Sequence, residues 1–132
     1  MLQKKLEKIL FVEDDPNIRA IGLIALVDVG NFNVLACQDG HEALQKAEAF
    51  APDLFLFDRM MPNMDGLTLF HELQKISTLQ SVPCIFMTAK VQEIDMNIYR
   101  ENGALTVIAK PFDAMTLADT IREKWSLIPT VS

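Results

Sequence analysis

The chain has 132 residues, half of them hydrophobic and 23% charged, with a formal net charge of −6. That length suits one globular domain with a real core, and the acidic balance counts against direct binding of nucleic acid, which needs a basic face. No apolar run is long enough to span a bilayer, and the first residues are too few and too polar for a signal peptide, so the expected location is cytoplasmic, away from any membrane.

Short apolar runs alternate with helical patterns five times along the chain. The runs at 8–12, 33–37, 54–57, 82–87 and 105–108 predict strands, and their continuous apolar character suits strands covered on both faces. Helical spacing predicts helices over 16–29, 40–50, 66–76, 91–102 and 114–127. Asp15-Pro16 reads as an N-cap followed by proline at the first helical position, where its missing N–H costs nothing. Asp39-Gly40, residues 62–66 and Lys110-Pro111 read as loops, with Lys110-Pro111 a candidate for a cis bond. Asn102-Gly103 suits a helix end, with glycine left-handed. Cys37 and Cys84 fall inside hydrophobic runs and read as buried free thiols.

Five alternating units predict an α/β fold, a doubly wound (βα)5 sandwich around a parallel sheet. The organisation is read as a single domain over 1–132, with its core over 8–127 and residues 128–132 as a tail or linker stub. In such sheets the ligand crevice lies at the carboxyl ends of the strands. Glu13 and Asp14 follow the first strand, Asp58 the third, Thr88 the fourth and Lys110 the fifth. One sheet edge would therefore carry three carboxylates, a hydroxyl and an ammonium. A hard cation such as Mg²⁺ takes a few carboxylate oxygens and keeps waters, so Asp14 is the candidate direct ligand, Glu13 acts directly or through water, and Asp58 shares the ion. Asp58 is also the candidate nucleophile, since a carboxylate can take a phosphoryl group as an acyl phosphate. Thr88 and Lys110 would donate to the phosphoryl oxygens. Taken singly these residues have plain readings: a solvated strand end and helix cap, a strand threonine, a loop lysine.

Taken together, the motifs resemble those of the two-component response-regulator receiver domain. Residues 9–16, Ile-Leu-Phe-Val-Glu-Asp-Asp-Pro, resemble its first strand and acidic pair. Residues 58–66, Asp-Arg-Met-Met-Pro-Asn-Met-Asp-Gly, resemble its phosphoacceptor loop, and Thr88-Ala89 and Lys110-Pro-Phe112 its remaining motifs. The resemblance implies a flavodoxin-like five-stranded sheet in order 2-1-3-4-5. It implies transfer of a phosphoryl group from a histidine kinase or phosphotransfer protein to Asp58 with Mg²⁺ (or Mn²⁺), followed by slow hydrolysis. The protein would catalyse only its own phosphorylation and dephosphorylation and would signal to a downstream protein target. The resemblance adds the backbone carbonyl of Met60 as a metal ligand. It places Met60 and Lys90 at the pocket mouth, where they would tune phosphoryl lifetime. One position departs from the family: the aromatic residue usual three places before the lysine is Val107, so the switch would work through Thr88 and the loop ahead of the fourth helix, or through another surface.

The first helix is too apolar for a helix with one buried side. Ile18, Ile21, Ala25 and Val29, joined by Gly22 and Leu26, form a stripe expected to face inward. Leu23, Ile24 and Val27, with Ala20, form a second stripe, where an amphipathic helix would be polar. That second face is read as a docking surface for a kinase or phosphotransfer helix bundle. A weak homodimer, or packing of Leu23 or Val27 on the fifth helix near Trp125, are the alternatives. His41 and His71 read as surface residues away from the sheet edge. Two other functions compete with the switch. One is a non-phosphorylated interaction module on the same scaffold, suggested by Val107. The other is an aspartyl-phosphate phosphohydrolase, which would want a second aspartate where Met60 stands and a cap this chain has little length to build.

Overall fold

The computed structural model describes residues 4–89 and 96–128. Its strands are β1 (Lys8–Val12), β2 (Asn33–Cys37), β3 (Leu54–Asp58), β4 (Cys84–Thr88) and β5 (Ala104–Ala109). They form one parallel sheet in the order β2-β1-β3-β4-β5, the order the resemblance implies. The helices are α1 (Pro16–Leu23), α2 (Gly40–Phe50), α3 (Gly66–Gln74), α4 (Met96–Glu101) and α5 (Leu117–Ser126).

Strand order explains which apolar runs are covered on both faces. β1, β3 and β4 are interior strands, and all residues of β3 and β4 are buried. β2 and β5 are edge strands and only partly buried, so the expectation of full cover holds for the centre of the sheet alone. Two apolar layers flank it. One joins Phe55, Phe57 and Phe86 to Ala43 and Ala47 of α2, Leu69, Phe70 and Leu73 of α3 and Tyr99 of α4. The other joins Ile9, Phe11, Leu54, Leu56 and Ile85 to Ala25, Leu26, Leu117, Ala118 and Ile121. Large side chains fully removed from water on both faces supply the main drive for folding.

Several local signals hold. Asp15 caps α1, accepting from the N–H groups of Asn17 and Ile18 at 2.8 and 3.2 Å. Gly103 has φ +90°, the Lys110-Pro111 bond is cis, and both cysteines are free and buried. Other boundaries shift. The helix expected over 16–29 changes at Ile24 into a π-helical turn, Ile24–Val29. α3 stops at Gln74, before a 3-10 turn over Ser77–Leu79. β4 begins at Cys84 rather than Val82, just past Pro83, which has no N–H to donate. α5 begins at Leu117 because Asp113 holds the chain ahead of it in turns, accepting from Thr116 and Leu117 through its carbonyl and from Met115 through Oδ1. Of the helix expected over 91–102, residues 91–95 lie outside the described residues, as do Lys90 and residues 129–132.

Ile21 corrects the expected inward stripe. Gly22, Ala25 and Leu26 are buried, but Ile21 is 47% exposed. It lines an apolar cavity with Ile18, Pro111 and Phe112 rather than meeting the sheet. Gly22 is where α1 comes closest to β1, since a Cβ there would collide with the Phe11 ring.

Candidate functional site

Parallel strands deliver their last residues to one edge. Glu13 continues β1 by one further ladder bond, its N–H donating to the Cys37 carbonyl at 3.1 Å. Arg59 does the same after β3, donating its N–H to Met87 O at 2.8 Å, and Lys110 N–H donates to Thr88 O at 2.9 Å. The ladder therefore carries Glu13, Asp58, Thr88 and Lys110 to the same rim. Gly66 closes the loop after β3 with an N–H bond to Arg59 O at 3.1 Å. A side chain at Gly66 would collide with the Asp58 carbonyl oxygen, which accounts for glycine there. Arg59 and Asp65 pair across the loop at 3.0 Å, and Asp65 also caps α3 through the Thr68 N–H at 2.8 Å. Both features hold the loop after β3 closed.

The carboxylates meet as predicted. Glu13, Asp14 and Asp58 each offer an oxygen, all within 4.8 Å of one another. Glu13 is fully buried and Asp58 is 4% exposed, while Asp14 is half-buried at the mouth. Lys110 lies between two of them, its Nζ donating to Glu13 Oε1 at 2.8 Å and standing 3.3 Å from Asp58 Oδ2. Glu13 Oε2 accepts from the Asp15 N–H at 3.1 Å, and Asp58 Oδ1 from the Met60 N–H at 3.3 Å. Thr88 is 2% exposed at the end of β4.

Electrostatics follow from this crowding. Burial, and then the charge of Glu13, push the Asp58 carboxyl up to about 7, with Lys110 pulling the other way. Burial acts to lower Lys110, but its hydrogen bond to Glu13 and the charge of Asp58 outweigh that and leave it raised. One ammonium does not balance three carboxylates. Hard oxygen donors in a tight group with excess negative charge fit a small divalent cation, so the donor set suits Mg²⁺ or Mn²⁺.

Outside the pocket, Val107 is half-buried and packs against the layer containing Phe86 and Tyr99. Tyr99 is 5% exposed, its ring 5.3 Å from that of Phe86. A cavity of about 210 Å³ separates α4, β5 and α5, lined by Tyr99, Val107 and Lys124 among others. In the second stripe of the first helix, Ile24 and Val27 are 52% and 40% exposed while Leu23 is half-buried. The cavity lined by Ile18, Ile21, Pro111 and Phe112, about 370 Å³, opens beside Lys110 and continues this apolar surface toward the site. Met60, whose N–H donates to Asp58, has an exposed side chain. His41 and His71 are both exposed, and His71 Nε2 meets Asn102 Oδ1 at 2.8 Å. Among the described residues, no helix is long and apolar enough to cross a membrane.

Sequence reasoning missed Arg19. Its guanidinium folds back from α1 onto the loop, donating through Nη1 to Glu13 O at 2.9 Å and reaching Asp14 O at 3.5 Å. The available signal was a cation one helical turn past a run of three acids.

Comparison with known proteins agrees with this geometry. Residues 9–122 match the response regulator receiver domain family. The chain is 40% identical over 114 residues to the transcriptional regulatory protein CseB of Streptomyces coelicolor, covering 86% of this chain and 47% of that protein. It is 33% identical to the DNA-binding response regulator MtrA of Mycolicibacterium smegmatis, covering 89% of this chain and 50% of the relative. It thus spans about half the length of these relatives. Among solved structures, the chemotaxis protein CheY4 of Vibrio cholerae superposes with a TM-score of 0.81 at 28% identity, covering 90% of this chain and 98% of that one. The matched span takes in the acidic cluster, the loop after β3 and the lysine at the end of β5, and on that ground the chain belongs to the response regulator receiver domain family of two-component systems.

Proposed function

We propose that the domain is a phosphorylation-dependent signalling switch with Asp58 as phosphoacceptor. The observation that carries the reading is the meeting of Glu13, Asp14 and Asp58 within 4.8 Å of one another, with Lys110 between Glu13 and Asp58. Asp14, Asp58 and the Met60 carbonyl, with Glu13 directly or through water, would hold Mg²⁺ or Mn²⁺. When bound, that cation supplies positive charge that offsets the phosphoryl oxygens.

The remaining work falls to the chain's own groups. An oxygen of Asp58 attacks the phosphorus of a phosphohistidine, the P–O bond forms, and the P–N bond breaks with its electron pair leaving on the imidazole. Lys110 offers a point charge, and the Thr88 hydroxyl a donor, to the transferred group's oxygens, so catalysis is positioning and electrostatics. The donor is a histidine kinase or phosphotransfer protein docked on the apolar face of exposed Ile24 and Val27 with half-buried Leu23, and the adjoining cavity. Output passes by protein contact to a downstream target in the cytoplasm, without direct nucleic-acid binding by this domain. Met60 stands at the pocket mouth, where it would tune phosphoryl lifetime.

Incubation with acetyl phosphate and Mg²⁺, followed by intact mass, tests the reading. One phosphate should be gained and Asp58→Asn should abolish it. No adduct from any donor would favour an interaction module without phosphorylation, and sustained turnover of a generic phosphomonoester would favour a phosphohydrolase.

A further inference from the structure

The two peptide planes that flank Asp14 are both held by side-chain hydrogen bonds. The plane ahead of Asp14 carries the Glu13 carbonyl, to which Arg19 Nη1 donates at 2.9 Å. The plane behind it carries the Asp15 N–H, which donates to Glu13 Oε2 at 3.1 Å, and the Asp14 carbonyl, 3.5 Å from the same Arg19 nitrogen. Glu13 is in turn held at its N–H by Cys37 O and at Oε1 by Lys110. Arg19 is thus the outer anchor of a short chain of bonds that ends at Asp14. Among the described residues its hydrogen-bond partners are main-chain carbonyls, so it leaves the carboxylate oxygens to other donors.

We propose that Arg19 is a positioning residue for the divalent cation, fixing the β1–α1 loop so that Asp14 points at Asp58. This rests on the metal-assisted reading above. Two effects of the guanidinium oppose each other. Its charge repels a nearby cation, and its hydrogen bonds order the ligand loop. Coulomb repulsion through a half-exposed site is heavily screened, whereas partners that orient a ligand commonly shift metal affinity roughly 10- to 100-fold. Ordering should therefore win.

The test is Mn²⁺ binding to the whole chain at pH 8, with free Mn²⁺ counted by electron paramagnetic resonance and no phosphodonor present. Arg19→Ala should weaken binding roughly tenfold, and Arg19→Lys, which keeps the charge and one donor, should recover part of the loss. Equal or tighter binding by Arg19→Ala overturns the proposal, because repulsion would then match or exceed ordering. A loss as large in Arg19→Lys as in Arg19→Ala overturns it too. Melting curves without metal accompany each variant, and an affinity that falls only in step with the folded fraction also counts against positioning. If the wild-type chain holds no Mn²⁺, the metal-assisted reading falls and takes this inference with it. If wild type binds and Arg19→Ala binds as well, only the role of Arg19 fails.

Discussion

The ammonium of Lys110 stands 2.8 Å from Oε1 of Glu13, a carboxylate with no exposure to solvent, although the two residues lie 97 positions apart in the chain. The same nitrogen is 3.3 Å from Asp58, so one cation serves two buried anions. Removing it should leave both uncompensated. Lys110→Met should lower stability by about 3 kcal/mol at pH 8 without metal, the usual cost of stripping one partner from a buried pair. Urea unfolding curves measure this. Combining Lys110→Met with Asp58→Asn should cost less than the sum of the two single effects, because the anion left without its ammonium is then also removed, and effects that simply add would show that the two residues are not coupled.

Asp58 itself should destabilise the metal-free fold at neutral pH. Its carboxyl is raised from an ordinary 3.8 to about 7. Between those values the folded protein holds a proton that the unfolded chain has released, so stability falls as pH rises across the window and levels off above it. Asp58→Asn should therefore stabilise the metal-free protein at pH 8 by roughly 2 kcal/mol, given about 1.4 kcal/mol per unit and discounting for coupling to Glu13 and Lys110. The gain should vanish near pH 4. Thermal melts at both pH values check the sign, and a larger gain at pH 4 would sink the explanation. Mg²⁺ should raise the wild-type melting temperature more at pH 8 than at pH 6, since proton and metal compete for the same oxygens.

Gly66 packs its Cα against the Asp58 carbonyl. Gly66→Ala should force the loop after β3 to shift, costing about 2 kcal/mol, as overpacking commonly does. It should also slow phosphate uptake from acetyl phosphate. Melting and intact-mass time courses read the two effects, and an unchanged melting temperature would mean that the loop yields freely.

Replacing Leu23, Ile24 and Val27 with glutamine should slow phosphotransfer from a protein donor roughly tenfold, the scale of losing a central contact. Uptake from acetyl phosphate should not change, because the small donor needs no docking face. Equal slowing with both donors would argue for a packing role instead.

Much of the fold was legible because its signals are local. The Asp15-Pro16 cap, the glycine at 103 and the apolar runs at 8–12 and 54–57 each act through neighbours in sequence, and the structure keeps them. The π-helical turn at Ile24–Val29 and the exposure of Ile21 were not legible in this way. Helical periodicity assumes 3.6 residues per turn, and a wider turn rotates every side chain after it, while Ile21, ahead of that turn, faces Pro111 and Phe112 from a distant part of the chain. β2 and β5 have apolar runs like those of interior strands, yet only pairing order makes them edges.

The candidate site divides along the same line. Composition and motif spacing alone were enough to put Glu13, Asp14, Asp58, Thr88 and Lys110 at strand ends, because a parallel α/β pattern sends all those ends to one edge. The tertiary structure decided how they share charge: Lys110 bridging Glu13 and Asp58, and Asp58 raised by burial beside Glu13. It also decided that Arg19 returns from α1 to the carbonyls of Glu13 and Asp14, and that Tyr99 packs on Phe86 next to a cavity where Val107 leaves room. The positions of strands and helices along the chain follow from patterns that act within a few residues. Distances of an ångström or two, and the desolvation that sets a carboxyl's proton affinity, depend on segments far apart in the chain packing together.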